Sequence, residues 1–368
     1  MKTKSIKVFK NSEKFFVFRS KEYNKYKVFK IAHKNPNKIM QEVRLLKKLI
    51  KSSKILNKKI PKIFKHGLIK KGIHAKKGYY VIDYVKGFTF TEIIKKNLCT
   101  YDLFNKIHNY TFQNFLQILR EKKKQKKNTL NTPLNIKKLI FIELEKIKKK
   151  DILRRIYDQK KIKIDDLEYH NLISYLNIIL NSKTFKKIYK NNFYLSNIGH
   201  WNFHGGNIIY PDINKNIKTF YLIDPDATWK INDPFFSIAR YVYTYVHDTI
   251  ENNKYYIVSK SFKNLKSVKL TFKTKIIWSS IVKKKYENNF SEFFTLKDKK
   301  KLNLLNENEK FRLKVCIVLC LLRGINSNFE KKIQIIDDKG LKFKNSSIYI
   351  FLILLKFLKT FTNEIKKK

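Results

Sequence analysis

The sequence predicts an α+β protein in two parts, a small antiparallel β lobe over residues 1–86 and a large, mostly helical lobe over residues 87–368. Three observations carry this expectation. Short β-branched and aromatic runs separated by polar turns fill the first ninety residues. Apolar residues then recur at three- and four-residue steps through most of the remaining chain. Within that helical part, residues 206–224 revert to a strand–turn–strand pattern. A chain of 368 residues with 43% apolar and 14% aromatic content is long and apolar enough to bury a sizeable core.

Taken in order, SIKVF, KFFVFRS and YKVFKIA read as three strands of a meander, joined by the turns KNSEK and KEYNK. In NKIMQEVRLLKKLIK, Ile39, Val43, Leu46 and Ile50 share one helical face. KIPKIFKHGLI and GYYVIDYV are two further strands, and Gly87 marks a break. TEIIKK and YDLFNKIHNYTFQNFLQILREKK read as helices. EKKKQKKNTLNTP (121–133) reads as an exposed, lysine-rich connection. LNIKKLIFIELEKIKKK and LEYHNLISYLNIIL resume the helical pattern. NIIY, the turn PDINKNIK and TFYLID form the embedded hairpin, and helical periodicity returns after Pro234. The apolar run at 348–361 is short for a membrane span and is interrupted by Lys356 and Lys359. It reads as a buried C-terminal helix capped by Asn345, Ser346 or Ser347.

The formal net charge of +53 invites a nucleic-acid reading, but only eight of the 82 basic residues are arginine. Surfaces that read phosphate geometry favour arginine's planar fork. The lysine excess accompanies abundant Asn, Ile, Tyr and Phe, the products of A/T-rich codons. Solvated lysine faces are therefore expected, and a nucleic-acid partner is not. Cys316 and Cys320 lie one turn apart in the apolar VCIVLCLL, and Cys99 stands alone, so no metal spacing arises. With no apolar leader in MKTKSIKVFKNSEKFFVF, a cytoplasmic protein is expected.

The chemistry concentrates in GHWNFHGGNIIY (199–210) and the LIDPD that follows. Asn207 and Asp224 stand at the two ends of the predicted hairpin, so folding brings them together. An Asn carbonyl and an Asp carboxylate are the hard oxygen ligands that a phosphate-bridging magnesium requires. Gly205 and Gly206 let the chain turn tightly before Asn207, and His200 is a loop organiser. In YKVFKIA, Val28 and Lys30 share a strand face and Lys27 takes the other. Lys30 can then point at phosphates, with Val28 walling a purine and Glu42 pairing with Lys30. YYVIDYVKG follows as a connector whose backbone around Asp83 to Val85 would bind the base edge.

These residues resemble the aminoglycoside phosphotransferase/choline kinase-like superfamily, whose signature is H-G-D-x-H-x-x-N-I-L followed by I-D-x-D/E. Here it reads His200-Trp-Asn202-Phe-His204-Gly-Gly-Asn207-Ile-Ile, then Ile223-Asp224-Pro-Asp226. The resemblance covers residues 5–245 and implies a two-lobed protein-kinase-like fold using ATP and Mg2+. It implies phosphate binding by Lys30, support from Glu42 and metal binding by Asn207 and Asp224. It places Asn202 at the catalytic aspartate's position.

The chain departs from that pattern in three places. KNSEK replaces a glycine-rich turn before Lys30. Asn202 replaces the catalytic aspartate, and an amide accepts no proton near neutral pH. Ser237 stands where the family braces its catalytic loop with an acid, leaving Asp233 as the neighbouring candidate. Asp226 and His204 are the nearby candidates for a substitute base. The main expectation is a phosphotransferase acting on a hydroxyl of a sugar, amino alcohol or related metabolite. The alternatives are a nucleotide-binding pseudokinase and a basic nucleic-acid-binding protein.

Overall fold

The protein is described by a computed structural model. It describes residues 6–22, 25–70, 72, 76–96, 98, 100–121, 136–190, 202–213, 217, 219–225, 233–251, 255–259, 265–272, 305–329, 334–336 and 342–367. The connection at 122–133, Cys99, His200, Trp201 and Asp226 lie outside the described residues. The chain forms two compact units. One comprises Met1–Lys96, Asp102–Lys126 and Leu195–Ser237, and the other Asn97–Tyr101, Lys127–Tyr194 and Ile238–Lys368.

The first unit is organised by an antiparallel sheet of β1 (Lys7–Asn11), β2 (Phe15–Glu22), β3 (Lys25–Ala32), β4 (Ile63–Leu68) and β5 (Gly78–Asp83). Its order is β1-β2-β3-β5-β4, so the predicted meander holds for the first three strands and β5 inserts beside β3. Helix α1 (Pro36–Ser52) follows β3. Asn35 caps it by accepting the Lys38 N–H, and Pro36 fills the first turn, where no amide hydrogen is needed. Ile39 and Val43 of α1 meet Ala32, Tyr80 and Ile82 of the sheet, with Phe15, Val28 and Ile63 completing that core. Burial of such side chains contributes about 1.5–3 kcal/mol each. Ser53 ends α1 and caps α2 (Lys54–Lys59), its Oγ accepting the Leu56 N–H at 2.9 Å.

Beyond the connector, β6 (Phe88–Thr89) leads into α3 (Phe90–Lys95), which opens with a capping box between Thr89 and Glu92. β6 pairs with Ile208–Tyr210, which pairs in turn with Tyr221–Leu222. A Cβ on Gly87 would lie 2.4 Å from the Tyr210 carbonyl oxygen, so this small sheet closes only with glycine there. Helix α4 (Tyr101–Arg120) supports it from Phe115, which stacks on Phe203 at 4.2 Å, and from Thr111, whose hydroxyl meets Tyr210 at 2.6 Å.

The second unit holds a six-stranded sheet that the helical periodicity hid. Its order is Gln334–Ile335, Lys342–Lys344, Tyr255–Ser259, Ser267–Phe272, Lys161–Ile164 and Leu167–His170. Residues 161–170 therefore form a hairpin, and the helix expected from Leu167 begins at Leu172 behind an Asn171 cap. The signal was present in the alternation KIKI followed by a two-aspartate turn, but it is only four residues long. Helices Glu307–Ser327 and Ser346–Lys366 bury most of their surface, and Cys316 and Cys320 are core residues of the first. The C-terminal helix is capped as expected by Asn345, which accepts the Ile348 N–H at 3.0 Å. Among the described residues, no helix is long and apolar enough to cross a membrane.

Candidate active site

Lys30 sits in the middle of β3, opposite Val17 of β2 and Tyr80 of β5. Val28 and Lys30 share a sheet face, and Lys27 lies on the other, where its ammonium meets Asp83 at 2.6 Å and the Phe64 ring at 3.1 Å. The Lys30 ammonium is almost completely enclosed. It donates to Glu42 Oε2 at 2.7 Å and also to Asp224 Oδ1. The Phe15 ring centroid lies 4.3 Å away.

Burial by itself would lower the Lys30 pKa, but Tyr80, Asp224 and Glu42 outweigh it and hold the amine above the ordinary lysine range. One cation thus serves two acids, and they share it unequally. Burial pushes the Glu42 carboxyl up to about 7, against the pull of Lys30 and with a further push from Asp224. For Asp224 burial also acts upward, but the charge and hydrogen bond of Lys30, helped by His204 and Lys10, hold it below the usual carboxylate range. The Asp224 side chain is 48% exposed and that of Glu42 only 2%.

Asn207 and Asp224 do converge from the ends of the hairpin. The Asn207 Nδ2 donates to the Asp224 backbone carbonyl at 3.1 Å and to the Asn202 carbonyl at 3.0 Å. The Ile223 N–H closes the strand end on the Asn207 carbonyl at 3.0 Å. Both amide hydrogens are therefore committed, which fixes the amide plane and directs Oδ1 away from these carbonyls. Asp224 has φ +54°, in the left-handed region and immediately before Pro225, a combination that L residues disfavour twice over.

Gly205, Gly206 and Asn207 form one 3-10 turn opened by His204, whose Nδ1 accepts the Gly206 N–H at 3.1 Å. Neither glycine has a positive φ. A Cβ on Gly206 would stand 3.0 Å from His204 Cε1, so glycine makes room for the ring. With Nδ1 occupied by the Gly206 N–H, the lone pair that a substitute base would use is already engaged in the turn.

In the connector, the Asp83 N–H is taken by the Lys62 carbonyl and the Tyr84 N–H by that of Tyr26, while Val85 N–H has no partner among the described residues. Asp233 is buried and caps the helix that begins at Pro234, its Oδ1 accepting the Phe235 N–H at 3.0 Å. Ser237 is buried beside it.

The structure thus brings together Lys30, Glu42, Asn207, Asp224 and the Asn202 backbone, with Val28 on the Lys30 face. Two neighbours were not anticipated. Tyr80 lies beside the Lys30 ammonium, whose nitrogen is 5.7 Å from its ring. Lys10 contributes charge at Asp224. Both depend on strand register, which local sequence does not specify.

No family model matches the chain, and no curated protein matches it in sequence. Solved structures match it in fold. A thermostable mutant of the aminoglycoside phosphotransferase APH(4)-Ia, in ternary complex with AMP-PNP and hygromycin B, superposes with a TM-score of 0.50 at 8% identity, covering 97% of this chain and 94% of its own. A microcompartment-associated aminopropanol kinase matches at 9% identity and TM-score 0.44, covering 100% of this chain and 94% of its own. The spectinomycin phosphotransferase APH(9)-Ia, in complex with ADP and spectinomycin, matches at 11% and 0.41, covering 99% and 93%. The chain has the α+β, protein-kinase-like fold of the aminoglycoside phosphotransferases.

Proposed function

We propose that this protein is an ATP- and magnesium-dependent phosphotransferase whose acceptor is a hydroxyl of a small molecule. The observation that carries the reading is the meeting of Lys30, Glu42, Asn207 and Asp224. Four residues from separate segments gather the cation and the oxygen donors that phosphoryl transfer needs. The solved phosphotransferase complex with AMP-PNP supports the nucleotide assignment by fold.

In this reading Lys30 holds the phosphates and Glu42 fixes its rotamer. Val28 walls the base, and the connector at Asp83–Val85 offers the open Val85 N–H to the base edge. Asn207 Oδ1 and the half-exposed Asp224 carboxylate suit magnesium, which keeps several waters and binds one or two protein oxygens beside substrate phosphates. Bound there, the metal would neutralise the charge on the transferring group. Asn202 positions the acceptor by hydrogen bonding, without taking its proton. Because phosphoryl transfer relies mainly on positioning and electrostatics, the missing base costs about 10²–10⁴-fold and leaves a slow enzyme.

Asn202 also motivates the second reading, a nucleotide-binding protein without turnover. Purified protein with Mg–ATP and a panel of sugar and amino-alcohol acceptors decides between them. Phosphorylated acceptor supports the enzyme. A Mg–ATP-dependent rise in melting temperature with no product supports the pseudokinase, and no rise at all rejects both.

A further inference from the structure

We propose that Lys10 is a second phosphate-binding cation, turned onto the Lys30 face of the sheet by a β-bulge and replacing the backbone donors of a glycine-rich turn. The inference rests on the nucleotide-binding reading of the site and deepens it. Register is its basis. In β1, Lys7 pairs with Arg19 and Val8 with Phe18, but Lys10 pairs with Val17, so Phe9 is an extra residue. Without the bulge, Lys10 would follow Val8 onto the outer face, beside Phe16 and Phe18. With it, Lys10, Val17, Lys30 and Tyr80 form one row across four strands, all on the same face. Lys10 and Lys30 are two strands apart, roughly 10 Å between backbones, a separation on the scale of a phosphate chain.

The adjoining turn explains why such a cation is useful. A glycine-rich turn would offer free amide hydrogens to phosphate oxygens. Here Ser12 N–H is bonded to the Phe15 carbonyl at 3.0 Å, and Phe15 N–H to Ser12 Oγ at 3.2 Å. Glu13 is paired with Lys34 at 3.2 Å. The Ser12 and Phe15 amide hydrogens are thus spent within the turn, and Glu13 adds an acid between them. Independently, Lys10 is among the charges that act on the Asp224 carboxylate, which puts its ammonium within electrostatic reach of the proposed metal ligand. Lys10 is exposed, and among the described residues no carboxylate pairs with it.

The test is titration of the whole protein with Mg–AMP-PNP and, separately, with adenosine. Lys10→Ala should weaken Mg–AMP-PNP about tenfold and leave adenosine unchanged, and Lys10→Arg should recover most of the loss. Lys65→Ala, on the outer face of β4 opposite Val81, should change neither, which separates a local contact from the chain's general positive field. Unchanged Mg–AMP-PNP affinity in Lys10→Ala, equal loss for adenosine, or equal loss in Lys65→Ala overturns the proposal and leaves the nucleotide site standing. Absence of any binding by the wild-type protein rejects the site and the proposal together.

Discussion

Asp165 in the second unit and Asp224 in the first share two unusual properties. Their φ angles are +51° and +54°, and each carboxylate accepts from a lysine far away in sequence, Lys356 and Lys30 respectively. The surroundings differ. Asp165 and Asp166 are consecutive left-handed residues in the two-residue turn between the strands Lys161–Ile164 and Leu167–His170. The twist of a hairpin demands that conformation. Both Asp165 oxygens are used, Oδ1 by the Leu270 N–H at 2.8 Å and Oδ2 by Lys356. Asp224 lies in no such turn, and its Oδ2 has no partner among the described residues. Strain that a local turn explains is structural. Strain without a local cause, next to an open oxygen, is characteristic of a functional site.

The sharpest way to break this contrast is to remove each acid. Asp224→Ala should abolish the Mg–ATP melting shift and lower any turnover on the order of a thousandfold, while Asp165→Ala should leave nucleotide binding intact. Binding that survives the first change, or disappears with the second, would erase the distinction. Asn202→Asp should raise turnover about a hundredfold at neutral pH if a missing base is what slows the chemistry, measured as initial rate with a reactive acceptor.

Protonation provides the next test. The folded pKa of Glu42, about 7, lies above its ordinary value of 4.5. Its contribution to stability is therefore complete below pH 4.5 and fades as the pH rises through 7, a change on the order of 3 kcal/mol. Asp224 acts oppositely, its contribution being present above the ordinary carboxylate range and lost as the pH falls through its depressed value. Urea unfolding of Glu42→Gln should show a flatter profile between pH 4.5 and 7 than wild type. An unaltered slope would assign the pH dependence to other groups. The smallest effects come from conservative changes at the left-handed Asp165 and Asp224. Asp165→Asn, which tolerates the left-handed region, should cost about 1–2 kcal/mol through lost charge pairing. Asp224→Gly should lose Mg–ATP as Asp224→Ala does but unfold later than Asp224→Ala, because both lack the carboxylate and only glycine relieves the strained φ.

Much of the first unit was legible before folding. Five strands, α1 and the hairpin flanked by Asn207 and Asp224 follow from periods of two and 3.6 residues and from the turn residues between them. The Lys30–Glu42 pair was legible because one strand and the next helix carry it, a local relation. The short hairpin at 161–170 was missed because four alternating residues compete poorly with helical periodicity on both sides. Lys10 was missed because its face depends on a bulge, and a single extra residue inverts parity without changing the pattern.

Sequence alone determined the strands and first helix of the first unit, the identity of the oxygen donors and the amide at position 202, since these are properties of residue type and local spacing. Tertiary structure decided that one lysine serves both Glu42 and Asp224, that the hydrogens of Asn207 are spent on two carbonyls, and that Lys10 faces the Lys30 side. Those outcomes arise where segments distant in the chain share a register, and register is set by packing and pairing across strands, which no local run of residues encodes.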